Sequence, residues 1–250
     1  MTVYFIGAGP GDPELLTLKA KRIIEKADVI VYAGSLINPE ILEFAKKCPD
    51  LYDSSAMALE EIVEVIGKAV ERDKTVARLH SGDPGIYGAT GEQIRRLEKE
   101  GASCEIVPGV SSFLAASALL GKEYTVPGGS QTIILTRLKG RTPVPKREKL
   151  RELAKHRASM CIFLSVHMIE EVVRELKYGY SDDTPAAIVY RSSWNDEKVL
   201  VTTIDALQKK VREMGIKKTA LILVGRFLDP QGGRSRLYDK EFKHGYRGKP

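Results

Sequence analysis

The stretch Ser81-Gly82-Asp83-Pro84-Gly85-Ile86-Tyr87-Gly88 decides the fold. It follows Thr75-Val76-Ala77-Arg78-Leu79, an apolar, β-branched run that reads as a strand, and leads into Ala89-Thr90-Gly91-Glu92, where Ile94 and Leu97 begin a helical spacing. Three glycines in eight positions, with a proline after the aspartate, let the backbone bend sharply and come close to a ligand. Open α/β sheets place their ligands at loops like this one, at the carboxyl end of a strand. An ordinary tight turn would use the same residues, so the loop alone leaves both interpretations open.

Working outward, the same strand–loop–helix unit recurs. Thr2–Ile6 reads as a strand running into Gly7-Ala8-Gly9-Pro10-Gly11-Asp12-Pro13, then a helix from about 14 to 27 with Asp12 as its cap. Asp28–Tyr32 is a second strand, and a short helix follows Asn38-Pro39. Leu59, Ile62, Val63, Ile66 and Val70 form the apolar stripe of a surface helix. Ser103–Val107 is a further strand, turned by Pro108-Gly109-Val110-Ser111-Ser112 into an apolar helix from Phe113 to Leu120. This alternation calls for a mainly parallel, doubly wound sheet.

After a linker at about 125–131 the pattern restarts. Strands are expected at 132–136, 160–164, 186–190, 199–203 and 220–224, with helices near 147–156, 167–177 and 204–214. The break Ser192–Asp196 suits an antiparallel hairpin, which makes the second sheet mixed. The expectation is two α/β lobes, 1–124 and 132–250, with a ligand cleft between them.

Composition sets outer bounds. Hydrophobic residues at 43% and charged residues at 29% of the 250 are ordinary for a globular protein. No apolar run approaches the about 18 residues of a membrane span, and no signal segment precedes the first strand, so a cytoplasmic protein without membrane partners is expected. Cys48, Cys104 and Cys161 lack CxxC spacing, and His80, His156, His167 and His244 form no ligand cluster, so no metal is expected. The net charge of +6 and pI near 9.1 permit an anionic partner, either nucleic acid or a polycarboxylate.

The loops exclude some ligands. In Gly7-Ala8-Gly9-Pro10-Gly11-Asp12, Asp12 stands where a dinucleotide fingerprint needs its third glycine, and Glu14 would repel a pyrophosphate. No P-loop occurs. An adenosine ligand without phosphate fits better, and S-adenosylmethionine is one. Its sulfonium tolerates carbonyls and acids such as Asp83, and its carboxylate suits the helix start after Ser111-Ser112. Ile162-Phe163-Leu164 can pack against the adenine. Taken singly, each piece has a plain alternative: serine caps and a core strand.

Taken together, GAGPGD with PELLTLKA (7–20), GDPGIYG (82–88) and VPGVSS (107–112) resemble the tetrapyrrole methylase superfamily, the methyltransferases of corrin and sirohaem synthesis. YAGSL (32–36), QTIILTR (131–137), GRTPVP (140–145) and LYDKEFKHGYR (237–247) are similar to its branch acting at C11 of precorrin-4 or cobalt-precorrin-4 in cobalamin biosynthesis. Related uroporphyrinogen methylases carry GGDP where this chain has Ser81-Gly82-Asp83-Pro84.

The resemblance implies a two-lobed homodimer binding S-adenosylmethionine between its lobes. Its cofactor site would draw on Pro10, Ser81, Gly82, Asp83, Ile86, Ser111, Ser112, Leu164, Tyr190, Ser192 and Ala220. A tetrapyrrole rich in carboxylates would be oriented by arginines, with Arg137, Arg141 and Arg191 as candidates. A catalytic base, where one is used, would be Asp83 or Asp12; both also suit turn or cap roles. The rival functions are an RNA methyltransferase of the same superfamily and a non-catalytic tetrapyrrole-binding module. A basic stripe interleaved with aromatics, which RNA binding would favour, is lacking, so no nucleic-acid partner is expected.

Overall fold

The computed structural model describes residues 2–47, 49–230, 235, 242, 243 and 245. Cys48, His244 and most of the 237–247 motif lie outside the described residues. The chain divides into two compact units: Met1–Ala116 with Arg191–Glu197, and Ser117–Tyr190 with Lys198–Pro250. The stretch 125–131 thus falls inside the second unit, and the 191–197 connection groups with the first.

In the first unit, β1 (Thr2–Gly7), β2 (Val29–Tyr32), β3 (Asp50–Asp53), β4 (Val76–His80) and β5 (Ser103–Val107) form one parallel sheet in the order β3-β2-β4-β1-β5. The helices are α1 (Leu18–Ile24), α2 (Leu59–Glu71), α3 (Thr90–Lys99) and α4 (Ser112–Leu120), the last running across the division between units. Alternate side chains of each strand enter opposite cores. Val3, Phe5, Val29, Val31 and Val76 pack with Ile62, Val63, Ile66 and Leu97 of α2 and α3. Ile6, Ile30, Ala77 and Leu79 pack with Ala20 and Ile24 of α1. The neighbours β1 and β4 have following connections that leave in opposite directions, toward β2 and β5, which is the topological switch of a doubly wound sheet.

The structure departs from the sequence reading in two places. The helix from 14 to 27 is a 3-10 turn, Pro13–Leu15, followed by α1. Leu16 is extended, and Thr17 restarts the helix by accepting from Ala20 N. The edge strand β3 has the sequence Asp-Leu-Tyr-Asp, too polar and too short to announce itself.

In the second unit, β6 (Ile133–Arg137), β7 (Ser159–Phe163), β8 (Pro185–Tyr190), β9 (Lys198–Thr203) and β10 (Ala220–Val224) are ordered β6-β7-β10-β8-β9. β6 and β7 are parallel and the remaining pairs antiparallel, the mixed sheet expected. The helices α5 (Leu150–Ala154), α6 (Ile169–Leu176) and α7 (Ile204–Met214) cover a core containing Met160, Ile162, Val172, Leu176, Ile188, Leu207 and Ile222.

Candidate active site

The first unit's switch point is closed by glycine backbone. A Cβ on Gly7 would lie 2.5 Å from Gly109 N, and one on Gly109 would lie 2.4 Å from Gly82 O. The loops after β1, β4 and β5 therefore meet at a separation only glycine allows. Gly82 N donates to Gly9 O at 2.7 Å and Ala8 N to His80 O at 2.8 Å, which prolongs the β1–β4 contact past the strands. Gly9 and Gly82 adopt φ of +74° and +68°, the left-handed region that glycine enters without strain.

Asp83 ties the loops. Its Oδ1 accepts from Gly85 N at 2.8 Å and its Oδ2 from Gly109 N at 2.9 Å. Asp12 Oδ1 accepts from Glu14 N at 2.8 Å as the cap of the first turn, as expected of a capping aspartate. Both proposed bases thus hold backbone. Thr90 Oγ1 donates to Pro84 O at 2.8 Å, and the non-glycine residues Tyr87 and Ala89 take φ of 55° and 48°. Such strain gathers where loops are shaped for binding.

Of the candidates, Pro10, Gly82 and Ser111 are buried, Asp83, Ile86 and Ser112 half-buried, and Ser81 exposed. Ser112 opens α4, whose first backbone N–H groups are an anion-binding feature. Ser192 lies in the 191–197 connection of the same unit; its hydroxyl is buried and has no hydrogen-bond partner among the described residues.

Sequence reasoning missed that connection's main feature. Trp194 Nε1 donates to Pro10 O at 2.8 Å, and Asp12 N donates to Ser193 Oγ at 3.0 Å. The only signal was a lone tryptophan in a polar turn. Arg191, expected to face substrate, stacks 3.9 Å from the Trp194 ring centroid and pairs with Asp196 at 2.6 Å.

Two ionisable side chains of β4 were also missed. Arg78, 6% exposed, donates to Ser54 Oγ at 2.9 Å and Gln93 Oε1 at 3.2 Å, both neutral. Burial pulls its pKa down to about 10. His80, buried beside the Ser81–Gly88 loop, has no partner for Nε2 among the described residues. Burial first, and the Arg78 charge second, lower it to about 3, so the imidazole is neutral.

In the second unit, Tyr190 and Ala220 are paired across β8 and β10. β7 runs antiparallel to β10 with Ile162 against Ile222, so the end of β7, which Leu164 follows, lies at the end of the sheet where Ala220 begins β10. These three candidates thus share one sheet end. Leu164 is 63% exposed with φ of +53°, an exposed apolar side chain on a strained backbone. Arg137 donates to Thr142 O at 3.2 Å and Pro143 O at 2.8 Å, shaping its own loop, whereas Arg141 on that loop is exposed. Burial pushes the Cys161 thiol up to about 12, an inert group. Among the described residues no three His, Cys, Asp or Glu side chains gather as a metal site, and no helix is long and apolar enough to cross a membrane.

Comparison with known proteins agrees with this layout. Residues 2–208 match the family model described as Tetrapyrrole (Corrin/Porphyrin) Methylases. A cobalt-precorrin-4 C(11)-methyltransferase of Methanocaldococcus jannaschii is 56% identical over 98% of this chain and 95% of that protein. A precorrin-4 C(11)-methyltransferase of Pseudomonas aeruginosa is 47% identical over 99% of each. The X-ray structure of a cobalt precorrin-4 methyltransferase superposes with a TM-score of 0.89 at 44% identity, covering 92% of this chain and 96% of that one. A Thermus thermophilus uroporphyrin-III C-methyltransferase solved with S-adenosyl homocysteine gives 0.75 at 26% identity, over 94% and 96%. With the parallel and mixed sheets in place and the motif loops meeting at the switch point, the chain belongs to the tetrapyrrole methylase family.

Proposed function

We propose that this chain is an S-adenosylmethionine-dependent methyltransferase acting at C11 of precorrin-4 or cobalt-precorrin-4 in cobalamin biosynthesis. The observation that carries this is the glycine closure of Gly7, Gly82 and Gly109, built from the motif loops of a chain with near-full-length relatives named for that reaction. Those relatives act on macrocycles, which favours this function over RNA methylation or mere tetrapyrrole binding.

The residues present suit the donor. The buried, unpartnered Ser192 hydroxyl supplies a hydrogen-bonding group for a polar ligand atom, and the α4 start supplies N–H groups for a carboxylate. Asp12 and Glu14 beside the first loop disfavour a pyrophosphate. By the family resemblance, the donor-binding candidates are Pro10, Ser81, Gly82, Asp83, Ile86, Ser111, Ser112 and Ser192 in the first unit, and Leu164, Tyr190 and Ala220 in the second.

When bound, the donor supplies a methyl group that a nucleophilic ring carbon takes in line, the S–C electron pair remaining on a neutral thioether. The chain's own task is to align the two reactants and exclude water, effects that reach about 7–11 kcal/mol. Asp83 and Asp12 keep the loops in shape, and no dedicated base is required. Arg141 receives a substrate carboxylate. The enzyme works as a cytoplasmic homodimer without a metal of its own, which sedimentation and elemental analysis of the purified protein check. The function itself is tested by supplying methyl-labelled donor with precorrin-4, cobalt-precorrin-4 or RNA. Label in a macrocycle supports the proposal, and label in RNA alone refutes it.

A further inference from the structure

We infer that Trp194 is a positioning residue for the methyl donor, holding the Gly9–Asp12 loop in its binding shape. This rests on the proposed reading of that loop as part of the donor site. The loop's own bonds do not fix its middle. Pro10 has no N–H to donate. The carbonyls of Pro10 and Gly11 accept instead from side chains elsewhere, Trp194 Nε1 at 2.8 Å and Asn38 Nδ2 at 2.9 Å. The N–H of Asp12 is taken by Ser193 Oγ at 3.0 Å.

Steric fit points the same way. A Cβ on Gly11 would stand 2.2 Å from Trp194 Cδ1, so the indole lies against bare backbone. The ring is itself held, with the Arg191 guanidinium 3.9 Å from its centroid and anchored by Asp196 at 2.6 Å. Ser193 N is fixed by Glu197 Oε2 at 2.8 Å. Residues 191–197 are therefore an ordered brace, and the bond they make to Pro10 spans 184 positions of sequence. The indole acts through the Pro10 carbonyl and so shapes the site from behind.

A glycine loop released from this brace has more conformations to lose on binding, and its affinity falls with the competent fraction. Trp194 is the single tryptophan of the chain, so tryptophan emission reports on the surroundings of this indole. The experiment titrates the full-length protein with S-adenosylhomocysteine, by calorimetry and by tryptophan emission. Trp194→Phe keeps a ring and removes the N–H. It is expected to bind about fivefold or more weakly, within the range of one hydrogen bond. The KM for S-adenosylmethionine should rise by more than kcat falls, with the melting temperature nearly kept. Wild-type emission is expected to shift with a midpoint matching the calorimetric Kd. A Phe variant that binds within twofold of wild type overturns the inference, as does wild-type emission indifferent to saturating ligand, which needs no variant to fold. Absence of any calorimetric binding by the wild type overturns instead the donor-site proposal beneath it.

Discussion

Asp83 Oδ2 accepts from Gly109 N at 2.9 Å, so one carboxylate joins the loop after β4 to the loop after β5. Its other oxygen is engaged by Gly85 N. Asp83→Asn leaves a single amide oxygen for two N–H groups and should cost about 1–3 kcal/mol in denaturant unfolding. Affinity for S-adenosylhomocysteine should fall with it. A general base would behave differently, losing turnover while stability and binding stayed intact.

Ser192 offers the opposite pattern. Its hydroxyl is buried and, among the described residues, unpartnered. Ser192→Ala removes an unsatisfied group, so the melting temperature should hold or rise. Binding of S-adenosylhomocysteine should weaken by about three- to tenfold, the worth of one hydrogen bond. Calorimetry and a thermal melt on the same sample check both halves.

His80 gives the fold an acid sensitivity. Its folded pKa is lowered from 6.5 to about 3, chiefly by burial and secondly by Arg78. Between those values the unfolded chain binds a proton that the native one refuses, so stability is lost as pH falls through 6.5 toward 3. The loss from this group at pH 5 is about 2 kcal/mol. Denaturant unfolding of wild type and His80→Gln at pH 7 and pH 5 should show a smaller drop for the variant. Carboxylates shared by both proteins cancel in that difference.

Arg137 and Arg141 should separate. Arg137 shapes its own loop through the Thr142 and Pro143 carbonyls, while Arg141 is exposed on it. Arg141→Ala should raise the KM for the macrocycle about tenfold, as for a lost charged hydrogen bond, and leave donor binding alone. Arg137→Ala should additionally open the 138–145 segment to limited proteolysis. Arg137→Lys should not restore it, because a point donor replaces a planar fork.

Much of this was legible from the chain itself. Strands such as Val29–Tyr32 and Ala220–Val224 are continuous apolar runs because both faces of the sheet are covered, and the loops after β1, β4 and β5 declare themselves by Gly, Pro and Asp. Other features depend on distance in sequence. Nothing local says that Gly7, Gly82 and Gly109 touch, or that Trp194 reaches Pro10. Asp50–Asp53 turns only Tyr52 toward the core, too little apolar pattern to mark an edge strand. Arg78 and His80 look like surface residues until strand alternation turns them inward. Arg137 matched a substrate-binding pattern, yet its guanidinium closes on its own loop.

The measurement closest to the central claim is carbon NMR of the macrocycle after incubation with donor carrying a labelled methyl group. A single enriched methyl resonance on C11, from precorrin-4 or its cobalt form, is the expected result. Enrichment at another ring carbon, or an unlabelled macrocycle beside a protein that binds the donor, would contradict it.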